Sequence, residues 1–530
     1  MGTPASPSTP APAPVRETDA AGHGQASGSR RPAPRSGAEE HRRLRGVWLW
    51  PGLLALVLAL YGAGDPQLWQ DELNSWDMAT RSTGRLLETV RHVDAVLAAY
   101  YFLLHGWTGL FGDSDLALRL PSVLAAAGAA VCTALIGERL FGRRAGLVAG
   151  LLFALTPAVM RYAQEARPYA LVVFAVALAT LLLLRALDRP DSRWRWAAYA
   201  AAVAAVGLLH LVALTALAGH VAAAAAKGRA AALRFACAAL AGVAAASPVV
   251  LLGRAQAGRQ ISWIPGPDLA GLATLWPQLF GSALVTGLVM TLAALAWAAP
   301  GKRGAPAHRA GPDESADRTR VLAAATASAV APPLILWTVS HGDVSYFHFR
   351  YLLFTLPAWA VLAGAALRGV RPRAVVAVLL AGLGLLTLPE QGTLREPYAH
   401  FWQGVDYRGA AATIRNYHRP GDAVIYDRGE DHWRLLDAGV RHYLPRELHP
   451  RDVFLARSAA DRADLWASEC PDPARCLRAE PRIWLVVPSG EGDPLNALPA
   501  AQARALRAHY TATGTERLTG VTVALLIRKG

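Results

Sequence analysis

Asp71 and Glu72 stand side by side in "LWQDELNSW", between Trp69 and Trp76, just after the first long apolar run of the chain. A carboxylate within reach of a hydroxyl can take its proton in a transition state. Beside bulky indoles it is partly desolvated, which raises its pKa and makes it a better base. A solvated loop pair would carry the same two residues, and alone the pair reads more simply that way. Three further groups bear on the choice. "RHVDAVLAAYYFLLH" brings His92, Asp94, Tyr100, Tyr101 and His105. Asp94 opens an apolar helix, so an N-cap role competes with contact to a substrate, and His105 reads equally as an interfacial histidine. "RYAQEARPYA" sets Arg161, Tyr162, Gln164, Glu165, Arg167 and Tyr169 in a short connection between two apolar runs. The guanidinium fork suits phosphate, and Glu165 could steady Arg167 or bind a hydroxyl. Arginines snorkelling to a membrane surface would explain the cations, but not Gln164 and Glu165. "SYFHFRYLLF" places His348 and Arg350 at the mouth of another run, among Tyr346, Phe347, Phe349 and Tyr351.

The rest of the chain reads as the scaffold that gathers such groups at a membrane face. Of 530 residues, 53% are hydrophobic and 17% charged, with mean hydropathy +0.25. Soluble chains carry about a quarter charged residues. Stretches with little or no charge, such as 47–63, 170–187 and 374–389, approach the roughly 17–25 residues that cross a bilayer as a helix. Long, non-alternating runs satisfy their backbone as helices. Spans are expected at 47–63, 120–138, 146–160, 169–187, 196–210, 211–226, 233–252, 282–299, 321–339, 351–367 and 374–389. The fifth and sixth are short and meet near His210. The net charge of +14 could suggest nucleic acid. The basic residues instead form short clusters between runs, near 42–45, 139–144, 185–195, 227–234, 302–320 and 368–373, which is the positive-inside pattern. No nucleic-acid partner is expected.

Residues 1–40, rich in Pro, Ala, Ser, Gly and Arg, read as disordered, within a cytoplasmic tail 1–46. The apolar stretch begins too late for a cleavable signal peptide. Eleven spans from a cytoplasmic start put the C-terminus outside the cell membrane. The outer side then carries 64–119, 161–168, 253–281 and 340–350, and all four polar groups fall there. In the long first loop, "SWDMATRSTGRLLETVRHV" and "YYFLLHGWTGLFG" read as interfacial helices, with Trp107 and the tyrosines at headgroup depth.

Residues 47–389 thus form the membrane domain, and 390–530 differ in character. "GDAVIYD", "RIWLVVPSG" and "VTVALLIRK" read as strands, alternating with helices in "DYRGAAATIRNYHRP", "HWRLLDAGVRHYL" and "LPAAQARALRAHY". This implies a small α/β domain with a mixed or parallel sheet. No glycine-rich phosphate loop follows a strand, so an accessory or acceptor-docking role is expected. Cys132 and Cys237 lie in apolar runs and read as packing residues. Cys470 and Cys476, in "ECPDPARC", have no neighbouring zinc partners and are expected as a disulfide, which places this domain outside the cytoplasm. The fold class is a polytopic α-helical membrane protein of about eleven spans with a small C-terminal extracytoplasmic α/β domain. One acidic and two cationic groups on one face suit a phospholipid-linked donor. Arginine would hold the phosphate as leaving group while a carboxylate activates an acceptor.

The order "W..DE", "YYFLLHGWTGLFGDSDLALRLPS", "RLFGRRAGLVAGLLFALTPAVMRYAQEARPYAL" and "HFRYLLFTLPAWAVLAG" resembles the GT-C glycosyltransferases. The branch is the bacterial protein O-mannosyltransferase and aminoarabinose-transferase-like group. The likeness is dense over 65–190, thinner to 340–365, and resumes at "DYRGAAATIRNYHRPGDAVI". It implies inverting transfer of mannose or a similar sugar from a polyprenyl-phosphate donor to an extracytoplasmic protein, lipid or glycan acceptor. It assigns Asp71 as the acceptor's base with Glu72 as a substrate ligand. Arg167, with Tyr162, Gln164, Glu165 and Tyr169, falls in the lipid-phosphate and sugar region. Arg350, with His348 beside it, matches a later arginine before a span. Many relatives have "HPPLYY" where this chain has "VDAVLAAYY", so Asp94, Tyr100 and Tyr101 stand near the sugar. No cofactor is implied. Metal dependence is left open, since no Asp-x-Asp stands in the first loop. The competing class is a flippase or transporter of a lipid-linked precursor, which would place polar or broken helices at mid-membrane in repeated halves.

Overall fold

Every apolar run expected as a span is helical, but the helices differ in length. The computed structural model describes residues 46, 48–298, 312–398, 404–429 and 432–530. Among them, five helices are long and apolar enough to cross a membrane: Asp115–Phe141, Tyr169–Asp188, Arg229–Gly258, Ala316–Val339 and Phe349–Leu367. Arg143–Leu155 with Pro157–Ala163, bent by 63°, and Leu269–Phe280 with Ala283–Ala298, bent by 95°, make seven if each pair is one span. The remaining runs, between Leu49–Leu60 with 12 residues and Arg193–Leu209 with 17, lie at or below the lower limit of about 17. The chain is a multi-helix membrane protein with five to seven candidate full-length spans among the described residues, and the other expected runs form shorter apolar helices. The expectations for residues 1–45 and for the basic residues 302–309 lie outside the described residues.

The breaks have local causes. Pro157 follows Thr156, and proline drives the residue before it out of helical geometry; Thr156 is extended, at φ −71° and ψ 121°. His210 is extended at φ −164°, which separates the helix before it from the 3-10 turn Leu211–Ala216. The region 253–281 is not the open loop expected. The preceding helix runs on to Gln260, and Asp268 caps a further helix, Leu269–Phe280, by accepting from Gly271 N at 2.6 Å. Small residues allow close helix approach. A Cβ on Gly146 would lie 2.3 Å from the Ala134 carbonyl oxygen and 2.5 Å from Glu138 N.

The first loop folds into three helices, Gln70–Thr80, Thr83–His92 and Ala98–Phe111. Tyr100 and Tyr101 are fully buried within the protein. They join Leu68, Leu73, Met78 and Leu86 in one apolar cluster with Tyr407, Val424, Tyr426, Trp484 and Val523 of the C-terminal segment. Trp107 donates from Nε1 to the Ala117 carbonyl at 2.8 Å.

That C-terminal segment is α/β, with a five-stranded mixed sheet. β1 (Ala423–Tyr426), β2 (Arg451–Asp452) and β5 (Arg482–Pro488) are parallel, and β6 (Tyr510–Leu518) and β7 (Val521–Arg528) add antiparallel strands, in the order β2-β1-β5-β7-β6. A short hairpin pairs β3 (Leu455–Arg457) with β4 (Ser468–Glu469). Side chains alternate across a strand, and here the alternation divides two cores. Ala423 and Ile425 face the domain's own cluster, while Val424 and Tyr426 join the cluster shared with the first loop. β6 was missed in the sequence because its residues are polar and mostly exposed. Cys470 and Cys476 are disulfide-bonded; Cys132 is buried, whereas Cys237 is exposed rather than packed.

Candidate active site

The Gln70–Thr80 helix presents its acidic pair in its first turn, where the positive end of the helix dipole favours negative charge. The two carboxylates then part company. Glu72 points inward. Its Oε1 accepts from Arg119 Nε at 2.8 Å and from Ala166 N at 2.7 Å, and its Oε2 accepts from Arg119 Nη2 at 2.7 Å. Neither Glu72 nor Arg119 is exposed. Arg119 also donates to the carbonyls of Ala63, Pro66 and Gln67. Glu72, expected as a substrate ligand, is instead a buried anchor tying together the first loop, the Asp115–Phe141 helix and the 164–168 connection. Arg119 was missed, although a lone charge in the apolar string "LALRLPS" had to find a partner.

Asp71 keeps an open side, with its side chain 28% exposed. Its Oδ2 accepts from Arg350 Nη1 at 3.3 Å and lies 3.8 Å from Arg167 Nε. Arg167 Nη1 donates to the Asp71 carbonyl at 3.3 Å and to Ser75 Oγ at 3.4 Å. Two guanidiniums from connections far apart in sequence therefore converge on one carboxylate. Arg350 is caged by aromatic rings, with its guanidinium 5.7 Å from Trp69, 5.8 Å from Tyr169 and 5.5 Å from Trp263. Buried polar atoms without a hydrogen-bond partner cluster here too: Trp69 Nε1, Tyr100 OH, Arg167 Nε and Arg350 Nε. Leaving a buried donor unsatisfied costs about 1–3 kcal/mol, so four together mark a place shaped for an acceptor-rich ligand.

The other expected residues divide between this cluster and its supports. Tyr169 meets Tyr162 edge-on and lies tilted against His210 and Tyr351. Glu165 is buried; burial pushes its carboxyl above the usual range, opposed by Arg161, which donates to its Oε2 at 3.2 Å. Gln164 is a support: its Nε2 donates to the carbonyls of Ala59 and Tyr61 at the end of the first helix. Asp94 stands at the N-cap position of the 3-10 turn Ala95–Leu97, but its side chain does not cap it. It adopts the left-handed backbone at φ 57° with no capping bond. Its carboxylate accepts from Tyr101 OH at 2.7 Å and Gln260 Nε2 at 2.6 Å, and burial pushes its pKa up. His348 stacks on Phe349, and its Nδ1 accepts from Arg350 N at 3.3 Å. His92 bonds locally, to the Glu88 carbonyl, whereas His105 reaches the Ala79 carbonyl on the Gln70–Thr80 helix. Of the two flanking indoles, Trp69 lies under the cations. Trp76 turns away, donating to Asp113 Oδ2 and packing on His442. No group of three or more candidate metal ligands gathers among the described residues.

Comparison with known proteins agrees with this architecture. Residues 98–252 match the family described as dolichyl-phosphate-mannose-protein mannosyltransferase. YkcB of Bacillus subtilis, provisionally named a mannosyltransferase, is 31% identical over 103 residues; the match covers 19% of this chain and only 13% of that protein. The structure of ArnT from Cupriavidus metallidurans bound to undecaprenyl phosphate superposes with a TM-score of 0.58 at 14% identity, covering 91% of this chain and 98% of that one. Its apo form gives 0.57 at 15% identity, covering 92% and 98%. The chain therefore has an ArnT-like fold.

Proposed function

We propose that this chain, whose residues 98–252 match the family described as dolichyl-phosphate-mannose-protein mannosyltransferase, is a membrane glycosyltransferase. It uses a polyprenyl-phosphate sugar, mannose or similar, and an acceptor outside the cytoplasm. The observation that carries this reading is the convergence of Arg167 and Arg350 on Asp71, among buried donors that lack partners.

In the reaction the acceptor hydroxyl loses its proton to an Asp71 oxygen as its own oxygen attacks the anomeric carbon. The bond from that carbon to the phosphate oxygen breaks, the anomeric configuration inverts, and polyprenyl phosphate leaves with the electron pair. Arg167 and Arg350 offset the charge gained by the phosphate. Tyr100, Tyr101, Tyr162 and Tyr169 border the sugar, with Asp94 ordering Tyr101 and Glu165 facing Arg161. Glu72 acts through position alone. The Cys470–Cys476 disulfide supports an oxidising compartment for the C-terminal domain, residues 390–530; with an odd number of spans the N-terminus is then cytoplasmic. A flippase fits less well, because the charged cluster lies in the connections at span ends rather than at mid-membrane.

The test is Asp71→Asn in purified full-length protein. Transfer should fall by about 10²–10⁴-fold, the usual worth of a general base, with thermal stability unchanged. Polyprenyl phosphate binding should be retained or tightened, because the anion competing for both arginines is gone. Transfer at the wild-type rate would remove Asp71 from the chemistry.

A further inference from the structure

A cavity of about 500 Å³ lies between the Gln70–Thr80 helix and the C-terminal segment. This is within the usual range of roughly 300–1,000 Å³ for ligand pockets. One wall is Asn74 and Asp77, on the helix that carries Asp71. The others include Tyr426 and Asp452, at the carboxyl ends of the adjacent parallel strands β1 and β2, then Arg428 just beyond β1, and Trp466. In open α/β sheets such carboxyl ends are where ligands bind.

The polar groups define what would fit. Arg428 is 9% exposed and donates to Asp437 Oδ2 through Nε at 3.1 Å and Nη2 at 3.0 Å. It also bonds Asp452 through Nη2. Its Nη1 faces Glu469 Oε1 at 3.8 Å without a hydrogen bond, and Asp452 Oδ1 likewise has no hydrogen-bond partner. A buried donor and a buried acceptor in one cavity both need satisfying. A hydroxyl does both; an ammonium only donates and would face Arg428. Trp466, held edge-on by the His432 ring at 4.8 Å, supplies an apolar wall for a ring to lie against. Asn74, one helical turn from Asp71, is an amide that donates and accepts. Three residues rise about 4.5 Å along a helix, so a chain seated in the cavity reaches the carboxylate within a short span.

We propose that this cavity is the acceptor subsite and that it binds a polyhydroxylated glycan chain, whose end hydroxyl is presented to Asp71. This rests on the glycosyltransferase reading and narrows the acceptor to carbohydrate.

The experiment applies full-length protein in lipid nanodiscs to an array of neutral hexose and pentose oligosaccharides. Polyprenyl phosphate binding is measured in parallel. At least one oligosaccharide class should bind. Trp466→Ala and Asn74→Leu should each weaken it by about tenfold, the worth of one stacking or polar contact, with polyprenyl phosphate binding unchanged. With a bound oligosaccharide as acceptor, both variants should raise its KM and leave kcat near wild type. Arg428 is left intact because its network is structural. The proposal is overturned if wild-type protein binds polyprenyl phosphate but no oligosaccharide, if oligosaccharide binding survives both variants, or if a lysine-rich peptide binds in the oligosaccharides' place. Loss of polyprenyl phosphate binding in wild type would instead strike the transferase reading.

Discussion

Glu72 and Arg119 meet across 47 residues of sequence through hydrogen bonds of 2.7 and 2.8 Å, with neither side chain exposed. Removing one partner strands a buried charge, at a cost of about 3–5 kcal/mol. Arg119 also secures three carbonyls of the loop leading to Asp71. Glu72→Gln and Arg119→Met should therefore lower the thermal midpoint sharply in detergent, whereas Asp71→Asn should not. Equal midpoints in all three proteins would show that Glu72 does not anchor the loop.

Arg167 and Arg350 should contribute separately to donor affinity. A hydrogen bond to a charged group is worth roughly 1.5–3 kcal/mol, or about 10–150-fold in affinity. Arg350→Gln should weaken polyprenyl phosphate binding within that range while leaving the fold intact, since Arg350 is held mainly by rings. Unchanged binding with reduced transfer would mean that Arg350 orients Asp71 rather than the phosphate.

His348 gives a pH test. Burial, with the nearby Arg350 cation adding to it, pushes its pKa from 6.5 down to about 3. Its Nδ1 accepts from Arg350 N, a bond lost on protonation. The folded state thus binds fewer protons than the unfolded chain between these values. The stabilisation is complete above about pH 6.5 and declines as pH falls towards 3. His348→Phe should flatten the decline in melting temperature over that window. An unaltered pH profile would show that His348 is not held neutral.

What the sequence revealed follows from distance along the chain. Apolar runs exposed the helices expected as spans, though not Leu269–Phe280, and "QDEL", "EARP" and "HFR" exposed Asp71, Arg167 and Arg350, because each motif is local. The pairings between motifs were not legible. Glu72 and Asp71 are chemically alike neighbours, and only the tertiary partner, Arg119, separates anchor from open carboxylate. Trp69 and Trp76 were symmetric in sequence. Trp69 precedes the helix in extended backbone while Trp76 lies within it, and they serve different neighbours because the C-terminal segment covers one side of the helix. That contact brings together residues more than 300 apart.

The docking of that segment centres on Asp115. His442 Nε2 lies 2.8 Å from its Oδ1, Tyr443 OH donates to its Oδ2 at 2.9 Å, and Arg408 pairs with it. Tyr443 OH in turn accepts from Leu68 N at 2.8 Å, just ahead of the Asp71 helix, and Arg441 pairs with Asp77 on the helix itself. Asp115→Asn removes the charge that all three partners share. Hydrogen exchange should then accelerate together in residues 436–443 and in 68–80, with a fall in transfer rate and no change in polyprenyl phosphate affinity. Faster exchange confined to 436–443 would mean that the C-terminal segment rests on the first loop without positioning Asp71.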